Sequence, residues 1–222
     1  MGTRGSSSHR GGGVGGGVRT GRDQLAEWTS NENALQQILR DTGYTLEQAR
    51  IAQNYQIRYY GSDYDNFTEG SLPHETEVIS EALMRMPYYN AGPIWRGVSF
   101  PDDVAENSFL RDWKPGTTQI FTDKLGRGRP VIQSFTSDEI VAEEFGNWEF
   151  VGIGKTSIKF IMTDNKTAPG VQHISHFGAS EAEVLLPSFQ QVYVEKVVQV
   201  SDSNFGGRRF EIYLRDKGRK KK

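Results

Sequence analysis

Cysteine is absent from the 222-residue sequence. That excludes disulfides, thiolate nucleophiles and Cys-ligated zinc, and it leaves the redox compartment open. Histidine is scarce, with only His9, His74, His173 and His176. His173 and His176 stand three apart without a third or fourth ligand nearby, so no metal site is expected. No apolar run approaches the ~18–20 residues that span a bilayer. The first residues also lack the apolar stretch of a Sec-type leader. The expected setting is the cytoplasm of the producing cell, or of a target cell into which the protein is released. A nucleophile elbow of the G-x-S-x-G type is missing. Gly154-Lys155-Thr156 resembles the end of a P-loop, but Glu149 occupies the position where that motif needs its first glycine. The segment that follows reads as strand instead of helix, which excludes a P-loop ATPase.

What is present is the composition of a globular protein, 36% hydrophobic and 24% charged. The formal net charge of −2 conceals basic ends around an acidic middle. Arg4, Arg10, Arg19 and Arg22 lie in an acid-free start, and Arg208 to Lys222 holds eight Lys or Arg against Glu211 and Asp216. Contact with nucleic acid is therefore expected only through the basic tail.

Residues 1–22 form a Gly/Ser/Arg tract that cannot build a core, and no apolar strand precedes its glycines as a phosphate loop would require. Residues 23–216 read as one domain, helical over 23–90 and β-rich over 91–216, followed by a basic tail at 217–222 that is expected to fray. In the helical part, Leu35, Ile38 and Leu39 recur at helix spacing, with Gly43 as the cap. Thr45 and Gln48 have the spacing of a capping box that opens a helix over Leu46–Tyr59. His74–Met86 reads as amphipathic, stopped by Pro87. Strands are expected at Ile94–Phe100, Pro130–Thr136, Ser157–Thr163, Glu181–Leu186, Gln191–Val200 and Arg208–Leu214. One short helix interrupts them, capped by Ser137 or Asp138 and ending at Gly146. Helices first and strands second predict an α+β fold.

Three features in this frame carry chemistry. Arg96 lies inside the apolar strand Ile94-Trp95-Arg96-Gly97-Val98, where its forked guanidinium suits a phosphate clamp. Gly97 beside it would admit a ligand close to the backbone. Ser134-Phe135-Thr136-Ser137 closes a strand just before a helix. Glu181-Ala182-Glu183 opens a strand, where alternation would point both carboxylates the same way, about 6–7 Å apart. Each feature also has a plain structural explanation, as a snorkelling arginine, a cap and a solvated edge.

Together they resemble the Arg–Ser–Glu class of mono-ADP-ribosyltransferases, which includes binary actin-modifying toxins, vertebrate ecto-enzymes and phage-encoded enzymes. The resemblance runs from about Ile51 to Leu214. Tyr60-x-x-x-Tyr64 resembles the tyrosine-bearing helix that precedes the catalytic sheet, and Ser180 to Pro187 resembles the catalytic strand. The resemblance implies N-terminal helices on a mixed, largely antiparallel two-sheet β core. It implies NAD⁺ as substrate, with no separate cofactor, and a protein acceptor with a reactive arginine. Glu183 would act at the ribose and Glu181 at the acceptor guanidinium. Arg96, Gly97, Ser137, Phe145 and Tyr60 would hold NAD⁺, with Trp148 as the alternative to Phe145. Ser137 would hold Glu183 by a hydrogen bond, with Ser134 as the alternative serine, and Phe177 would touch the protein substrate. Competing expectations are an NAD⁺ glycohydrolase on the same fold and a non-catalytic phage structural or binding protein. Toxin and phage origins both fit.

Overall fold

The computed structural model describes residues 45, 46, 48, 73–122, 130–171 and 182–218. At the start, the backbone N–H of Thr45 donates to Gln48 Oε1 at 2.9 Å, and that of Gln48 donates to Thr45 Oγ1 at 3.2 Å. This is the expected reciprocal capping box, with Leu46 and Gln48 helical behind it. Residues 1–44 and 49–72, with most of the expected helical part, lie outside the described residues.

Helix α1 (Pro73–Leu83) opens on proline, which the first turn tolerates because its missing N–H has no partner there. It buries Ile79 and Leu83, and ends before Pro87 as expected. Ser80 fastens it to the far end of the β region. Its Oγ lies 2.7 Å from Ser188 Oγ and accepts from the Ser188 N–H at 3.0 Å.

Seven strands follow: β1 (Ile94–Pro101), β2 (Thr118–Ile120), β3 (Gln133–Thr136), β4 (Lys155–Asp164), β5 (Glu183–Leu186), β6 (Gln191–Val200) and β7 (Arg208–Asp216). Between β1 and β2 run the short helix α2 (Asp102–Ala105) and a π-helical turn (Glu106–Leu110). Helix α3 (Glu139–Phe145) follows β3, with Asp138 as its N-cap accepting from the Ile140 N–H at 2.9 Å. The sheet order is β2-β6-β7-β4-β1-β3-β5. Only β4 and β7 run parallel; the other neighbours are antiparallel. The α+β, largely antiparallel expectation holds, and the described strands fall in one hydrogen-bonded order. Strand β1 is its junction. It pairs with β4 along its whole length from Ile94↔Met162 to Pro101↔Lys155, yet touches β3 through the single pair Trp95↔Thr136.

One face of β4 sends Ile158, Phe160 and Met162 into the core, where Phe109, Trp113, Phe121 and Phe160 meet edge-on or tilted. Tilted and edge-on rings favour such packing beyond their buried area. The opposite face carries Ser157, Lys159 and Ile161, and from it Lys159 and Ser157 reach α3, which packs on β1. A β-carbon at Gly97 would lie 1.7 Å from the Ala142 carbonyl oxygen, so only glycine lets α3 settle on β1. Lys159 then grips the helix, with Nζ 2.6 Å from Glu139 Oε1 and 2.8 Å from Glu143 Oε1. Ser157 Oγ donates to the Gly146 carbonyl at 2.8 Å and holds the helix end.

After β7 the Lys217 N–H donates to the Gln191 carbonyl at 3.0 Å, and the Gly218 N–H donates to Asp216 Oδ1 at 2.8 Å. These bonds tie residues 217–218 to the sheet. Residues 219–222 lie outside the described residues.

Candidate active site

The site forms where β1 and β3 part after Trp95↔Thr136. Arg96 shares its strand face with Ile94 and Val98 and is half-buried. Its Nη1 donates to the Ser134 carbonyl at 2.6 Å. Among the described residues the guanidinium has no carboxylate partner. A half-buried, permanently charged fork of donors is thus left with most of its capacity unspent.

Ser134 faces two ways. Its carbonyl receives Arg96, and its Oγ donates to Glu183 Oε1 at 2.8 Å. Strand register explains the second bond. Thr136 lies opposite Glu183 and Ser134 opposite Leu185, so Ser134 is the diagonal neighbour of Glu183 on the same face. Glu183 is only 1% exposed. Its carbonyl accepts from the Val171 N–H at 2.8 Å, so the 168–171 segment braces β5 from the side away from β3.

The hydrogen bond expected from Ser137 to Glu183 is therefore made by Ser134. Ser137 lies beyond the end of β3, where alternation no longer applies. Both its N–H, at 2.9 Å, and its Oγ, at 3.2 Å, donate to the carbonyl of Ala182. Strand β5 begins at Glu183, and Ala182 has φ 43, in the left-handed region. The expected pairing of Glu181 with Glu183 falls on a position outside the described residues, as do Phe177, Tyr60 and Tyr64.

The space beside Gly97 is not open to a ligand on its side-chain side, because Ala142 and Gly146 fill it. What β1 can offer a ligand at this point is backbone alone. Of the two aromatics weighed for nicotinamide, Trp148 is buried. Lys159 Nζ sits 4.7 Å from its ring centroid and the Arg209 guanidinium carbon 5.4 Å away. Phe145 is 60% exposed and directly precedes Gly146, which packs on Gly97. Only Phe145 of this pair presents a free ring.

The Lys159 cluster was not foreseen. Glu211 adds a third carboxylate at 3.5 Å, and Tyr213 Oη donates to Glu211 Oε2 at 2.7 Å. Burial opposes the charged amine, but its hydrogen bonds to Glu139 and Glu143 and their charges outweigh it, raising the Lys159 pKa. The Tyr213 hydroxyl is raised as well, by its bond to Glu211 and then by burial. A lysine inside an otherwise β-rich run, with acids spaced four apart on the preceding helix, was the available signal.

This arrangement has the fold of the ADP-ribosyltransferases. The chain superposes on ADP-ribosyltransferase Vis, crystallised with agmatine, with a TM-score of 0.56 at 15% identity, covering 90% of this chain and 87% of that one; Vis is a toxin from Vibrio splendidus. It is similar to Plx2a, an ADP-ribosyltransferase toxin from Paenibacillus larvae, with a TM-score of 0.51 at 15% identity, covering 90% and 98%. Exoenzyme S from Pseudomonas aeruginosa, in complex with human 14-3-3 beta and carba-NAD, gives 0.51 at 16% identity, covering 84% and 82%. No protein-family model matches the sequence, and no curated protein matches it by sequence. At such identities the likeness establishes the fold.

Proposed function

We propose that the protein is a mono-ADP-ribosyltransferase that cleaves NAD⁺, releases nicotinamide and transfers ADP-ribose to an arginine of a protein. The observation that carries this reading is the chain of contacts Arg96–Ser134–Glu183 at the parting of β1 and β3. It sets a cation that has no carboxylate partner among the described residues beside a buried carboxylate, as a pyrophosphate joined to a reacting ribose requires.

Arg96 binds the pyrophosphate, where its fork outperforms a point charge. Bond cleavage between C1′ and the nicotinamide nitrogen sends the electron pair out with nicotinamide and leaves oxocarbenium character on the ribose. Glu183, hydrogen-bonded to the ribose 2′-hydroxyl, interacts more strongly as that positive charge grows. Its effect therefore falls on the transition state. Ser134 holds the carboxylate still for this task. The backbone of Gly97 meets the nicotinamide amide, and Phe145 and Tyr60 flank the dinucleotide. An arginine nitrogen then bonds to C1′ and gives up its proton, with Glu181 as orienting carboxylate and base. Phe177 contacts the protein acceptor. Agmatine, the molecule bound to Vis, is itself a guanidine, which supports a guanidinium acceptor on this fold.

The rival reading is an NAD⁺ glycohydrolase. Incubation with NAD⁺ and agmatine, followed by mass spectrometry, separates the two. ADP-ribosyl-agmatine is expected, and free ADP-ribose alone would replace transfer by hydrolysis.

A further inference from the structure

We propose that Ser137 and Ala182 act together as a positioning clamp for Glu183. The inference rests on the reading of Glu183 as the carboxylate at the reacting ribose.

Glu183 is the first residue of β5, and a strand terminus normally frays. Here it is denied that freedom. Ala182 adopts φ 43, a conformation that residues other than glycine take only when their surroundings impose it. The imposing contact is visible. Both lone-pair sites of the Ala182 carbonyl are directed to one residue, with the Ser137 N–H at 2.9 Å and the Ser137 Oγ at 3.2 Å. Two donors from one residue fix the orientation of the peptide plane that leads into Glu183.

Ser137 is itself held. The Asp138 N–H donates to Thr136 Oγ1 at 3.0 Å, and Asp138 caps α3. Helix α3 is then pinned to the sheet by Lys159 below and by Ser157 at its end. Thus the rigid β3–α3 junction reaches Glu183 twice, through Ser134 at its side chain and through Ser137 at the peptide before it. Neither Ser137 nor Ala182 touches the reacting atoms in this scheme. Their effect is on where the carboxylate stands, to which bond cleavage is sensitive, since a misplacement of about 1 Å can cost on the order of 10²-fold in rate.

The test follows nicotinamide release from NAD⁺ by wild type, Ser137→Ala, Ser137→Thr and Ala182→Gly, with melting temperature recorded for each. Ser137→Ala is expected to lower kcat by about 10-fold or more while KM for NAD⁺ stays near wild type, because Arg96 is untouched. Ser137→Thr keeps the hydroxyl and should restore most of kcat. Ala182→Gly is the decisive variant. Glycine accepts φ 43 without strain, so the fold should be as stable as wild type, yet the loosened hinge should lower kcat. Wild-type kcat in either Ser137→Ala or Ala182→Gly would overturn the clamp. So would losses that follow melting temperature alone. Absence of nicotinamide release from the wild type would instead overturn the reading of function on which the clamp rests.

Discussion

Ser134 and Ser137 differ by three positions and by everything that matters to a strand. Two residues before Thr136, Ser134 lies on the face that meets Glu183, whereas Ser137 lies past the strand end and meets a backbone carbonyl. The motif was legible in the sequence, but the choice of serine was not, because it depends on where β3 stops. Removing the hydroxyl should tell. Ser134→Ala leaves a buried carboxylate short of a donor and is expected to lower kcat for nicotinamide release by about 10-fold or more. An unchanged kcat would show that Glu183 does not need this bond. Arg96 belongs to the binding half of the site. Arg96→Lys keeps the charge but loses the fork, so NAD⁺ affinity measured by calorimetry should weaken by about 1–2 kcal/mol. Unchanged affinity would make Arg96 a strand residue and nothing more.

At the scale of elements, β1, β4, β6, β7 and α3 stand close to where periodicity and caps put them, since each has a strong local pattern. Strand β2 is three residues long and has too little pattern to read. The α2 and π-helical segment did carry a signal, Asp102 and Asp103 after Pro101, that the strand-rich surroundings masked. The left-handed Ala182 has no sequence signature, as alanine rarely adopts it; among the described residues, Ser137 is what holds its carbonyl. The Lys159 cluster makes the seating of α3 dependent on pH. The folded-state pKa values of Lys159 and Tyr213 are both raised above their ordinary values, 10.5 and 10.0. Above about pH 10 the folded protein therefore binds more protons than the unfolded chain, and stability falls as pH rises; below that the contribution is present in full. Denaturation midpoints from pH 8 to 11 should drop on the alkaline side, and Lys159→Met should flatten that slope. An equally steep drop in the variant would place the alkaline sensitivity elsewhere.

Across the whole molecule, the fold class was legible because helical and β-rich stretches segregate along the chain. The placing of β1, paired with β4 along its length and with β3 through one residue pair, is a long-range arrangement that no local pattern encodes. That same single-pair junction brings Arg96, on one strand, to Ser134 and Glu183 on two others distant in sequence. The central question is therefore whether this junction cleaves NAD⁺. The most direct measurement is nicotinamide release by wild type and by Glu183→Gln, side by side, with folding of both verified by circular dichroism. Glutamine keeps size and hydrogen bonding but removes the charge that meets the oxocarbenium. The wild type should release nicotinamide, and the variant should do so about 10²–10⁴-fold more slowly. Release by the variant at near wild-type rate, or none by the wild type, would contradict the account.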